Sequence, residues 1–213
     1  MVGTFLQWRR CPMSAINRSP SALPQPKKQR GVAAVEFALL VFVFLALVFS
    51  IIELARIMYL YNTLQEVTRR AATAAASANF QDEAELDRIR YFSILRNEPG
   101  ELPVGAPITD QHVRIEYLAL VRNADGSLTS TRIAPGVLPA DPAANRQICH
   151  ANPNAATCVR LVRAQICKPE VAGTCEPVQY QMLFPLISFG LPLPRATTTA
   201  TAESLGYTPG QVP

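Results

Sequence analysis

The sequence predicts an α+β protein: a long N-terminal helix that crosses a membrane and continues outward, followed by a small β-rich domain. Three observations predict it. Residues 32–52 read VAAVEFALLVFVFLALVFSII, 21 residues with one charge, Glu36, and about 20 apolar residues span a bilayer as a helix. Neither Pro nor Gly occurs from residue 32 to residue 77, so nothing obliges the helix to stop at the membrane boundary. Past residue 110, apolar and polar residues alternate in short runs separated by turn signals, the pattern of half-buried strands.

Charge separates the segments further. Residues 1–31 contain Arg9, Arg10, Arg18, Lys27, Lys28 and Arg30 and no acid, a charge of +6, while the other fourteen basic and sixteen acidic residues give −2. The basic character thus belongs to a leader, not to the folded part, which argues against nucleic-acid binding. Pro12, Pro20, Pro24 and Pro26 and the lack of apolar periodicity mark that leader as disordered. Lys27, Lys28 and Arg30 precede the apolar run, and Glu53 and Arg56 follow it with no net charge. The positive-inside rule therefore places the N-terminus in the cytoplasm and the C-terminal domain outside the inner membrane. A secretory signal peptide is the competing reading, but Phe49-Ser50-Ile51-Ile52-Glu53 is a poor small-residue cleavage site.

The expected organisation is a leader over 1–31, a transmembrane helix over 32–52, its outward extension over 53–78, an extracytoplasmic α+β domain over 79–205 and a loose tail over 206–213. Leu60, Leu64, Val67, Ala71, Ala74 and Ala78 follow spacings of three and four, one apolar stripe on the extended helix. A second helix is expected over 82–95, with Leu86, Ile89, Ile94 and Leu95 inward and Pro99-Gly100 as its stop. Strands are expected at Val113–Tyr117, at residues 128–133 after an Asn123–Ser127 turn, at 159–166, at 180–184 and at 196–205. Residues 135–145, rich in Pro, Ala and Asp, read as a loop.

The segment most informative about function is Gly31-Val32-Ala33-Ala34-Val35-Glu36-Phe37. One reading is a membrane helix with an acid near its cytoplasmic end. Glu36 lies only about 7 Å into the run, where a side chain can snorkel to the interface. The other is a prepilin-peptidase site cut between Gly31 and Val32, after which Glu36 of one subunit meets the new amine of a neighbour. An acid in hydrocarbon is costly and is best explained by a partner. The residues alone leave both readings standing.

The stretch from Arg30 to Ala76 resembles the N-terminal segment of TadE-like proteins. It combines Val35-Glu36-Phe37-Ala38, Ile52-Glu53-Leu54-Ala55-Arg56 and Arg69-Arg70-Ala71-Ala72 after a basic leader, and Phe184-Pro185-Leu186 with a Thr-rich final strand fits more loosely. The resemblance favours the prepilin reading at Gly31, Val32, Glu36 and Phe37. It implies a minor pilus subunit of pseudopilin type, or a membrane-anchored assembly factor, in a tight-adherence (Flp-type) pilus or type II-like secretion machine. The implied partners are the membrane, the prepilin peptidase, other pilins and inner-membrane platform proteins. The rival is an anchored periplasmic binding module unrelated to pili, which would keep residues 1–31.

Glu53 and Arg56 fall three residues apart on one helix face. They read first as an ordinary surface pair worth a few tenths of a kcal/mol, and otherwise, with Glu36, as contacts to a partner helix. Cys149, Cys158, Cys167 and Cys175 form an even set in an oxidising compartment, which reads as two disulfides. Of three connectivities, Cys149–Cys158 with Cys167–Cys175 would make two local clips. Zinc with His150 as helper is the alternative, but no C-x-x-C spacing supports it. Cys11, in the leader, should stay reduced. His112 and His150 are the only histidines, and both read as structural or solvated residues. With no nucleophile elbow, phosphate loop or metal motif, we expect no enzyme, no cofactor and no small-molecule substrate.

Overall fold

The structure, a computed structural model, describes residues 30–169, 173–183, 190–202 and 204–206. The leader with Cys11, the Phe184-Pro185-Leu186 motif and the tail beyond Gly206 lie outside the described residues. The chain falls into two compact units, one ending at Phe44 and one beginning at Leu45. Helix α1 (Arg30–Ala75) runs through the boundary between them. In the first unit every side chain from Val32 to Leu40 is exposed, and α1 is long and apolar enough to cross a membrane.

The second unit contains the rest of α1, then α2 (Glu83–Ser93), β1 (Val113–Arg122), β2 (Leu128–Arg132), α3 (Pro142–Ala151), β3 (Leu161–Ile166) and β4 (Thr197–Thr201). The four strands form one antiparallel sheet in the order β2-β1-β3-β4. Its core lies between one sheet face and the C-terminal half of α1. Leu60, Leu64, Val67, Ala71 and Ala72 pack with Val113, Ala164, Ile166 and Ala196. Farther along, Ala75, Phe80 and Leu86 pack with Tyr117, Ala119 and Val162. Each buried Leu or Val contributes about 1.5–3 kcal/mol relative to exposure. Alanines at the helix end allow close approach to the sheet, and the buried Thr68 hydroxyl pairs with that of Thr198 at 2.9 Å.

The expected apolar stripe needs one correction. Ala74 is exposed, while Ala72 and Ala75 are buried. A true period of 3.6 carries the buried face from Ala71 to Ala75, not to Ala74. The helix ends at Ala75, three residues earlier than expected, and turns through Ser77. Gly206, expected to be loose, donates its backbone N–H to the carbonyls of Ser77 and Ala78 at 3.0 and 3.2 Å. It does so with φ at 70°, a conformation glycine adopts without strain.

Helix α2 starts where its sequence says it should, because the Asp82 carboxylate accepts from the backbone N–H groups of Ala84 and Glu85. Leu95, expected inward, is 49% exposed with φ at 65°. The helix has already ended at Ser93, so Leu95 no longer follows its face. The hairpin turn closes as read, with Gly126 at φ 84° and its N–H donating to Asn123 O at 3.0 Å.

Helix α3 was not expected, since residues 135–145 read as a loop. Its start is nevertheless encoded: Asp141 caps through Ala144 N, and Pro142 occupies the first turn. Asn145 inside it is buried and treats Val159 as a strand neighbour would, accepting from its N–H at 2.8 Å and donating to its carbonyl at 3.3 Å. No strand forms at residues 180–183; instead Gln179 bridges Pro192. The final strand is also shorter than expected, Thr197–Thr201.

Both local disulfides are present, Cys149–Cys158 and Cys167–Cys175, so the four thiolates a zinc ion would need are consumed. Cys158 precedes β3 and Cys167 follows it, and both are buried. One bridge therefore ties α3 to the start of an interior strand and the other ties residue 175 to its end. On the sheet face opposite α1, Glu116 is 4% exposed and accepts from Arg163 at 2.6 and 3.0 Å and from Gln165 at 3.0 Å, with Arg132 at 3.3 Å.

His112 immediately precedes β1, in a 3-10 turn, with Nδ1 accepting from Thr109 N at 3.0 Å. Burial lowers its pKa, against the raising influence of Asp110. A histidine whose folded pKa is depressed supplies stability above its unfolded pKa near 6.5, and that stability is lost as pH falls through the folded value. We therefore expect the His112 imidazole to titrate below pH 6.5 in an NMR titration and urea stability to decline below that pH. A His112 midpoint above 6.5 would contradict the assignment.

Candidate functional site

The Gly31–Val32 bond lies in the first turn of α1, where the backbone N–H groups have no intrahelical acceptors. Gly31 is exposed, and a Cβ built on it would meet nothing within 4 Å. Phe37 is 68% exposed, with Val35 at 60% and Leu40 at 70% around it. Glu36 is exposed in this apolar surface, and no hydrogen bond or ion pair reaches it among the described residues. The segment thus presents an open peptide bond and, five residues on, a carboxylate with no counterion among the described residues.

Residues 31–73 match the TadE-like protein family. The TadE-like segment covers the Gly31–Val32 bond, Glu36 and Phe37, the apolar run, Glu53 and Arg56, and stops two residues short of the end of α1. The match suggests a Tad pilus-associated protein, and the one helix long and apolar enough to cross a membrane among the described residues fits a single-pass membrane protein. No curated protein and no solved structure matches the chain significantly, so the β-rich domain must be read from its geometry alone.

Within the TadE-like segment, Glu53 and Arg56 are not the ordinary surface pair their spacing suggests. Arg56 is 5% exposed and reaches four oxygens outside α1. Its Nε donates to Val104 O at 3.0 Å and its Nη2 to Ala106 O at 2.7 Å. Its Nη1 donates to Gln181 O and, at 3.3 Å, to the Tyr180 hydroxyl. The guanidinium also lies 5.2 Å from the Tyr180 ring centroid, within cation–π range. Glu53 stands 3.9 Å from Arg56 and accepts from Tyr180 Oη at 2.6 Å and from Leu183 N at 3.3 Å. Burial first, and then the bond to Glu53, push the Tyr180 pKa up to about 12, so the phenol stays a donor.

This clasp fastens two loops, around residues 102–107 and 178–183, to α1 immediately above the apolar run. Nothing local in the chain marks Tyr180 as a partner, since it lies more than 120 residues from Glu53 and Arg56. Nor does anything mark the backbone carbonyls of Val104, Ala106 and Gln181, which carry no side-chain signature. The one available hint was that Arg56 stands on the same stripe as Leu60 and Leu64, at a spacing of four. By contrast Glu66, Arg69 and Arg70 do form an exposed helix-surface cluster. Bonds from Arg69 and then Arg70 hold the Glu66 carboxyl at about 2.

Proposed function

We propose that this chain is a minor, pseudopilin-type subunit or membrane-anchored assembly factor of a tight-adherence pilus, processed between Gly31 and Val32. The observation that supports it best is the state of Glu36. It is a carboxylate without a described partner, inside the TadE-like segment, at the fifth position after an open Gly–Val bond. Hydrolysis of that bond adds water across it, leaving a carboxylate on Gly31 and a free α-amine on Val32. In a bundle of such helices, Glu36 of one subunit neutralises the Val32 amine of the next, and the charge that is costly in a lone helix is compensated on assembly. Glu53 and Arg56 hold the extracytoplasmic domain on its own helix, leaving Glu36 as the contact between subunits. The partners are other pilins, the inner-membrane platform and the peptidase. The N-terminus is cytoplasmic and the domain is periplasmic or extracellular.

Glu36→Leu separates assembly from anchoring. Removing an acid from the span favours insertion by about 1 kcal/mol or more, depending on depth, so the variant should reach the membrane in undiminished amount while pilus output falls. Wild-type pilus output from the Glu36→Leu strain, at equal membrane level, would remove the assembly role of this carboxylate.

A further inference from the structure

Large apolar side chains cluster beside the clasp, and neither the core nor the span uses them. Val104 is 68% exposed, Leu183 50% and Leu191 42%. Each is bound to the clasp through its backbone. Val104 O accepts from Arg56, Leu183 N donates to Glu53, and Leu191 O accepts from Tyr180 N at 2.8 Å. On α1, Leu54 and Met58, 57% and 59% exposed, lie at the same level. Tyr59, whose hydroxyl donates to Pro103 O at 3.0 Å, supplies an aromatic ring there. Val104 is also held at φ 56°, where a β-branched residue is strained and glycine would be at ease. Such an outlier, with its side chain turned to solvent, points to a use for the side chain.

The level of these residues decides what they meet. Arg56 follows the last residue of the apolar run, Ile52, by four positions, a rise of about 6 Å at 1.5 Å per residue. The headgroup layer on each side of the hydrocarbon is about 5–8 Å thick. Loops bonded to Arg56 therefore lie in that layer, where apolar side chains partition into the acyl boundary and tyrosines are favoured. We propose that Val104, Leu183 and Leu191 form an apolar collar that seats the folded unit on the lipid surface at the headgroup–acyl boundary. The collar sets the domain against the bilayer at the foot of α1, in addition to the anchoring that the span provides. It rests on the reading of residues 32–52 as a membrane span.

The test uses the full chain reconstituted into vesicles of phosphatidylethanolamine and phosphatidylglycerol. Val104→Trp and Leu191→Trp are made separately with Trp8→Phe, so that each protein has one indole, and folding is checked by retention of both disulfides. Lipid brominated near the headgroup end of the acyl chain should quench most of the emission from position 104 and from position 191, and aqueous iodide should quench little. Emission quenched by iodide and not by brominated lipid would overturn the collar. Protection from both quenchers would assign the face to a second copy of the chain and would also overturn it. The underlying span is read independently by flotation. Failure to float with the vesicles would overturn the span and the collar together, whereas flotation with iodide quenching overturns the collar alone.

Discussion

Replacing Arg56 with alanine should cost the second unit about 3–5 kcal/mol, because removing one member of a buried ion pair strands the other. Three backbone carbonyls, from Val104, Ala106 and Gln181, lose their donor at once, and Glu53 keeps only Tyr180 Oη and Leu183 N. For a protein of this size that corresponds to a fall in Tm of roughly 10 °C. Arg56→Lys should recover little, since a single ammonium cannot reproduce a fork that reaches both loops. The controlling comparison is Arg56→Met with and without Glu53→Gln. The double variant should be more stable than Arg56→Met alone, because it no longer holds an uncompensated charge. Thermal unfolding in detergent followed by circular dichroism measures all four proteins. A loss below about 1 kcal/mol for Arg56→Ala would return the pair to the ordinary surface class.

The second large effect concerns the disulfides. Each closes a short loop, with a sequence separation of nine for Cys149–Cys158 and eight for Cys167–Cys175. In the chain-entropy account such loops contribute about 2.5 kcal/mol each. Removing both should therefore cost about 5 kcal/mol, close to the whole stability of a marginal domain. Their placement sharpens the expectation. They bracket β3, which pairs with β1 on one side and β4 on the other, so their loss loosens an interior strand at both ends. Urea unfolding before and after reduction gives the comparison, and a midpoint that does not move would contradict it. Alkylation of the denatured, unreduced protein should leave all four of these cysteines unlabelled, and modify only Cys11 where the leader is retained.

The long helix, the hairpin and the disulfide set were legible because each rests on a local signal. These were a 21-residue apolar run, an Asn-Ala-Asp-Gly-Ser turn and four cysteines outside the leader. Helix α3 was hidden because its ten residues carry no long apolar period, although Asp141-Pro142 spelled its start. An idealised spacing places Ala74 inward, and the true helical repeat does not keep that spacing. The clasp was illegible for a deeper reason. Glu53 and Arg56 at i,i+3 look the same in sequence whether they face water or a buried tyrosine. Only the return of the chain at residues 178–183 decides which. Glu36 behaves in the opposite way: its exposure matters because nothing within the described chain answers its charge.

If Gly31–Val32 is the processing site, the mature chain begins at Val32. N-terminal sequencing and intact mass of the protein purified from membranes, with and without an active prepilin peptidase, test it directly. With the peptidase active the sequence should start Val-Ala-Ala-Val-Glu-Phe, and without it residues 1–31 should be retained. Residues 1–31 still attached in cells with active peptidase would contradict it and leave an anchored module that is not processed as a pilin.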